Sequence, residues 1–326
     1  MTRFSEVRWG IIGVGDVTEV KSGPAFYKVA HSQLVAVMRR DAAKAADYAQ
    51  RHRVPRWYGD ADALIHDPEV DAVYIATPPD SHAPYALRVA DAGKPCYVEK
   101  PMALHYAECT AMVDAFEKRG LPLWVAYYRR CLPSFLKVKS LIDEGALGAV
   151  RAVNVRLVQP VKPADREGQW RVRPEVSGGG HFHDLASHQF DFLDFLLGPV
   201  AEVRGLTGNQ AGLYAAEDIV TAAFRFESGV LGSGTWCFTA APGAAEDTVE
   251  IIGDRGKVTF SSFASAPVQF MAESGPQAWL LPYPPHVQQP MIQTIVDELR
   301  GVGQCPSTGA TAARTSRVLD WVTGRG

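Results

Sequence analysis

Three stretches of this 326-residue chain carry residue types at spacings that could do chemistry. Gly178-Gly179-Gly180-His181-Phe182-His183-Asp184 runs on into Leu185-Ala186-Ser187-His188-Gln189-Phe190-Asp191. If the glycines open a helix, Asp184, His188 and Asp191 stand at i, i+4 and i+7 and share one face, with Leu185, Phe192, Leu193 and Leu196 supplying apolar packing. A carboxylate and an imidazole one turn apart suit a positioned acid–base pair, because imidazole titrates nearest neutrality. The second stretch is Val98-Glu99-Lys100-Pro101, which puts a cationic amine at the end of a short apolar strand, where open parallel sheets bind ligands. The third is Gly13-Val14-Gly15-Asp16-Val17, where Gly13 would make a tight turn and Gly15 would let backbone amides approach a pyrophosphate. Position 18, where the dinucleotide fingerprint has its third glycine, is Thr.

The elements that must position these residues alternate in the first third of the chain. Val7–Ile12, Leu34–Met38 and Ala72–Ala76 are short apolar runs, Tyr97-Val98 closes another, and Leu121–Ala126 is a further one. Helical segments lie between them, at about 42–52, 81–92 and 104–119. This order predicts an α/β fold: an N-terminal Rossmann-type doubly wound parallel sheet over residues 1–125. From about residue 149 the pattern changes to consecutive alternating strands with turns such as Glu227-Ser228-Gly229. That predicts a C-terminal α+β domain, 126–326, with a large, mostly antiparallel sheet for substrate binding and oligomerisation. Phe263–Pro285 and Gly205–Glu217 are expected as loops, and 291–299 and 312–322 as helices.

The second strand bears on the choice of dinucleotide. Arg39 and Arg40 stand where an NAD site offers an acid to the ribose 2′-hydroxyl, and guanidinium groups match a 2′-phosphate. Asp41 reads as the N-cap of the following Ala-rich helix. NADP(H) is therefore the expected cofactor, with NAD(H) possible.

The glycine turn, Thr77-Pro78-Pro79-Asp80-Ser81-His82, Glu99-Lys100-Pro101 and the Gly178–His188 segment follow one another across essentially the whole chain. In that order they resemble the Gfo/Idh/MocA oxidoreductase family, and Gln169-Trp170-Arg171 with the two arginines is most similar to its 1,5-anhydro-D-fructose reductase and sugar-dehydrogenase branch. The resemblance implies that Lys100 contacts nicotinamide ribose and substrate, that Asp184 hydrogen-bonds substrate, and that His188 exchanges the proton at the reacting oxygen. It further implies that Gly13, Val14, Gly15, Asp16, Val17, Arg39, Arg40, Thr77, Pro78, His82, Glu99, Trp170 and Arg171 surround the cofactor. Arg129, just past the last parallel strand, is a candidate substrate contact. The implied activity moves a hydride between nicotinamide and a carbonyl or secondary alcohol of a sugar, anhydro-sugar or cyclic polyol. The alternatives are NAD-dependent glycosidase chemistry on the same fold and a non-catalytic dinucleotide-binding sensor.

Plainer readings stand beside these. Lys100 alone could be a surface lysine, Asp184 an N-cap and His188 a hydrogen-bonded core residue. His181, His183, Asp184 and His188 could ligate a metal, but two histidines two apart at a helix start with no cysteine near make a poor set, and none is expected. A net charge of −3 without basic runs gives no reason to expect nucleic acid or an anionic membrane. No apolar run approaches the roughly 20 residues of a spanning helix. Five scattered cysteines fit a reducing compartment, and Met1–Trp9 has no apolar leader core, so a cytoplasmic protein is expected, with a homodimer or homotetramer formed through the C-terminal sheet.

Overall fold

The computed structural model describes residues 4–166 and 168–325; part of the expectation about the N-terminus falls on Met1–Arg3, outside the described residues. The chain forms two compact units. In the first, strands β1 (Val7–Ile12), β2 (Ser32–Met38), β3 (Arg56–Tyr58), β4 (Ala72–Ile75), β5 (Cys96–Val98) and β6 (Leu123–Val125) form one sheet in the order β3-β2-β1-β4-β5-β6. All five pairings are parallel. Helices such as Ala42–His52 and His82–Asp91 cross between successive strands, and β4 and β5 are buried at every position. Burial on both faces is why these strands read as unbroken apolar runs. The direction of strand addition reverses between β1 and β4, the switch point at which such sheets take ligands.

The division at residue 125/126 omits a return of the chain. The first unit takes in residues 284–313, including the Gln289–Leu299 helix, which buries Met291, Ile292, Ile295, Val296 and Leu299. Ser307 ties this segment to the sheet, its hydroxyl donating to the Val125 carbonyl at 2.8 Å. A sequence split that runs forward along the chain has no means of registering such a return.

The second unit holds an eight-stranded sheet of β7 (Val150–Pro160), β8 (Val200–Gly208), β9 (Ile219–Phe226), β10 (Leu231–Ala240), β11 (Glu246–Gly253), β12 (Gly256–Phe260), β13 (Val268–Ala272) and β14 (Gly275–Trp279). Its order is β14-β13-β12-β11-β7-β10-β9-β8, antiparallel except between β7 and β10. The predicted fold class holds. One face alternates inward through Val153, Val155 and Leu157 on β7 and Val220, Phe224 and Phe226 on β9. Against it lies the Gly180–Leu197 helix, with Phe182 and Phe190 packed 5.2 and 5.5 Å from Trp236 between ring centroids. Each of these buried aromatics contributes on the order of 2–3 kcal/mol.

Two expectations about loops are corrected. Phe263–Pro285 contains the β13–β14 hairpin, and Gly205–Glu217 begins inside β8. Pro276 disguises the hairpin: a proline argues against a central strand, yet β14 is the sheet edge, where proline is tolerated.

Candidate active site

In the first unit the glycine turn is shaped by close approach. Gly13 has φ 94°, and a Cβ there would lie 2.5 Å from the Thr77 Cγ2 and 2.9 Å from its backbone nitrogen. The Gly13 and Val14 amides donate to the Met38 carbonyl at 2.9 and 3.2 Å, which binds the turn to the end of β2. Gly15 is different: a Cβ would meet only the Arg39 Nη1, at 3.9 Å, so open space lies over this residue. The following helix, Asp16–Val20, is barely more than one turn long. Thr18, the departure from the glycine fingerprint, is fully buried and closes that turn, accepting from the Gly15 amide and donating to its carbonyl at 2.8 Å each.

Arg39 donates from Nη1 to the Val14 carbonyl at 3.1 Å, which seats its guanidinium beside the turn, while Arg40 is exposed. Asp41 accepts from the Lys44 amide at 3.2 Å as the helix N-cap. That bond and the Lys44 ammonium 3.6 Å away hold its carboxyl below the usual carboxylate range.

Thr77 and Pro78 are half-buried at the end of β4, where the Ser81 hydroxyl donates to the Thr77 Oγ1 at 2.8 Å. His82 and Glu99 lie beneath this surface. His82 is completely buried, its ring nitrogens 2.9 Å from the Pro101 carbonyl and 2.7 Å from that of Thr77, and burial pushes its pKa down. Glu99 is 6% exposed, accepting from the Tyr74 hydroxyl at 2.6 Å, the Gln288 amide at 2.5 Å and the Lys100 amide at 3.1 Å. These two brace the Thr77 loop and the backbone that carries Lys100, itself half-buried. Gln288 was missed in the sequence, since nothing in a proline-rich segment marks it as a partner for Glu99.

In the second unit the glycine triplet opens the Gly180–Leu197 helix. Gly178, Gly179 and Gly180 have φ 85°, 157° and 69°, which side chains disfavour. A Cβ on Gly179 would lie 2.0 Å from the His183 Nδ1. Gly179, not Asp184, is the N-cap of the helix, and the Ser177 hydroxyl accepts from the Gly180 amide at 3.0 Å. Asp184 stands a full turn inside, which frees it from the capping role. Its Oδ2 lies 3.7 Å from the Arg171 Nε, and the Arg171 guanidinium sits 4.4 Å over the Trp170 ring. The structure thus brings Trp170, Arg171 and Asp184 together.

His188, one turn further on, is 3% exposed, with the Phe263 ring 6.1 Å away at 70°. Asp191 keeps to the same helix face but is fully buried in a bidentate pair with Arg130, at 2.7 and 2.8 Å, and burial pushes its carboxyl up to about 6 against the pull of that cation. Arg129, the candidate substrate contact, packs on the same Phe263 ring as His188. It is 7% exposed, donates to the Ser262 carbonyl at 2.7 Å and stacks 4.6 Å over Phe263. His181 donates to Asp165 at 2.9 Å, and the same carboxylate oxygen accepts from the Gln169 amide at 2.5 Å, so this pair anchors the segment that leads to Trp170.

With this geometry in view, residues 7–127 match the oxidoreductase family with an NAD-binding Rossmann fold, and residues 135–259 match the GFO/IDH/MocA C-terminal domain. The chain is 40% identical over 319 residues to oxidoreductase P35 of Formosa agariphila, covering 97% of this chain and 98% of that one. It is 26% identical to trans-1,2-dihydrobenzene-1,2-diol dehydrogenase of Bos taurus, over 86% of this chain and 81% of the relative. Its fold is shared with levoglucosan dehydrogenase solved with NADH and levoglucosan, at TM-score 0.87 and 23% identity over 98% and 97% of the two chains. Among the described residues no helix is long and apolar enough to cross a membrane. The chain belongs to the Gfo/Idh/MocA family and is an oxidoreductase with a nicotinamide-dinucleotide-binding Rossmann domain.

Proposed function

We propose that this protein is an NADP(H)-preferring oxidoreductase of a sugar, anhydro-sugar or cyclic polyol, working in the cytoplasm. The observation that carries the reading is Asp184 and His188 one turn apart on a glycine-opened helix, in a chain whose parallel sheet presents Lys100 at a strand end. The open space at Gly15, with the Arg39 guanidinium beside it, fits a phosphate-bearing dinucleotide. Gly13, Val14, Gly15, Asp16 and Val17 would cradle the pyrophosphate, Arg39 and Arg40 would hold the 2′-phosphate, and Thr77, Pro78, Trp170 and Arg171 would border the nicotinamide end. When bound, the nicotinamide gives or takes a hydride at the substrate carbon. The chain's own part is electrostatic and protic. Lys100 places positive charge where a substrate oxygen gains negative charge, His188 gives that oxygen a proton or removes one, and Asp184 accepts a substrate hydroxyl. Glu99 and His82 keep the Lys100 backbone and the Thr77 loop in place.

His188→Ala is expected to lower kcat about a hundredfold or more while the Kd for NADPH stays within twofold. Stopped-flow turnover and fluorescence titration measure the two separately. Equal losses in both would make His188 a structural residue and remove the reading.

A further inference from the structure

Around His188 the second unit builds a polar knot that the proposed chemistry leaves unused, centred on the Ser261–Ala264 loop that follows β12. The Asp247 carboxylate, at the start of β11, accepts from the backbone amides of Ser262, Phe263 and Ala264 at 3.0, 2.7 and 3.1 Å and from the Ser261 hydroxyl. Ser261 Oγ in turn accepts from the Ala264 amide at 2.8 Å. One carboxylate thus fixes four consecutive residues of a loop with no sheet partners of its own. The loop is then tied to the catalytic helix. Ser262 Oγ accepts from the Gln189 amide at 3.0 Å, and Gln189 Oε1 accepts from the Trp236 indole at 2.6 Å. The Ser262 carbonyl accepts from Arg129 at 2.7 Å.

The residue these bonds present is Phe263. Its ring stands edge-to-face to His188, with centroids 6.1 Å apart, and is backed by the Arg129 guanidinium 4.6 Å from its centroid. On another side, the space among His188, Gln189, Phe192, Phe260 and Ser262 has no room for a water. An imidazole that must meet a substrate oxygen at hydrogen-bond distance needs its ring plane held, and misplacing a catalytic group by about 1 Å costs on the order of a hundredfold in rate.

Resting on the proposed role of His188, we propose that Phe263 is a positioning residue for the His188 ring and that Asp247 acts through it by clamping the loop. The two are then links in one chain of contacts, and their removal is not additive. Phe263→Ala lowers kcat about tenfold, leaves the Kd for NADPH within twofold, and raises the primary isotope effect seen with 4-deuterated NADPH, because a wandering proton donor makes the transfer step more rate-limiting. Phe263→Tyr, which keeps the ring, restores kcat to within threefold of the parent. Asp247→Asn, chosen because it keeps size and some of the bonds, lowers kcat in the same direction. The double variant Asp247→Asn, Phe263→Ala is no slower than the slower single variant. A kcat within twofold of the parent for Phe263→Ala, an unchanged isotope effect, or losses that multiply in the double variant would overturn the proposal. Absence of polyol turnover in the unaltered protein would instead strike the proposed function, so the two failures are told apart.

Discussion

Arg39 spends one of a guanidinium's five N–H donors on the Val14 carbonyl, and that bond points the planar fork at the glycine turn. A 2′-phosphate offers three acceptor oxygens to such a fork, whereas a ribose hydroxyl offers far less. Asp41, the nearest carboxylate in sequence, is committed to the amide of Lys44 and is exposed. Arg39→Asp combined with Arg40→Ala should therefore lower the ratio of kcat/KM for NADPH over NADH at least tenfold, which corresponds to about 1.4 kcal/mol of discrimination. Steady-state kinetics with both cofactors at a fixed polyol concentration checks it. An unchanged ratio would return the preference to the dinucleotide's other contacts.

At the scale of the element, the helix opened by the glycine triplet packs one imidazole where it cannot hold a proton. Complete burial, with the Arg325 charge adding to it, pushes the His183 pKa down to about 3. An unfolded histidine titrates near 6.5. The folded pKa is depressed, so in acid the unfolded chain takes up the proton first, and stability present above about pH 6.5 is lost as pH falls toward 3. His183→Leu should flatten the fall of Tm between pH 7 and pH 4 relative to the parent protein, as followed by circular dichroism. An equal fall in both would place the acid sensitivity elsewhere.

The same helix marks how far the sequence could be read. Its start, its apolar face and the adjacency of Asp184 to His188 follow from three glycines and a 3.6-residue period, as does the parallel sheet from its apolar runs. The Ser177 hydroxyl on the Gly180 amide, Asp191 paired with Arg130, and Asp247 holding the loop beside His188 were not legible. Each depends on a partner distant in sequence or on a side-chain direction that periodicity leaves open: Arg130 and Asp191 are 61 residues apart. The β13–β14 hairpin was hidden for a different reason, a proline whose tolerance depends on being at an edge that only the assembled sheet defines.

At the scale of the molecule, the eight-stranded sheet has a second face. Register sets Leu206, Thr221, Thr235, Arg156 and Thr248 side by side across β8, β9, β10, β7 and β11, all on the side opposite Val220 and Leu157. Leu206 is 78% exposed, and Leu231 and Met271 on the same face are about half exposed. Near Met271 a groove of about 390 Å³ runs over Thr259, Gln269 and Gln277. The face carries charges of both signs in pairs: Arg156 with Glu246, Lys257 with Glu250, and Arg204 and Arg225 both with Glu202. A self-complementary surface of this kind suits an isologous contact, in which each apolar residue meets the same patch of a second copy. We propose such a twofold pairing for this face. Sedimentation velocity at micromolar concentration should then give twice the chain mass, and Leu206→Lys with Leu231→Lys should give the single-chain mass with the far-ultraviolet spectrum unchanged. Lysine opposes lysine across a twofold axis only if the two faces meet, so an unaltered dimer in the double variant would locate the contact on another surface, and a monomeric parent would leave the face without a partner of its own kind.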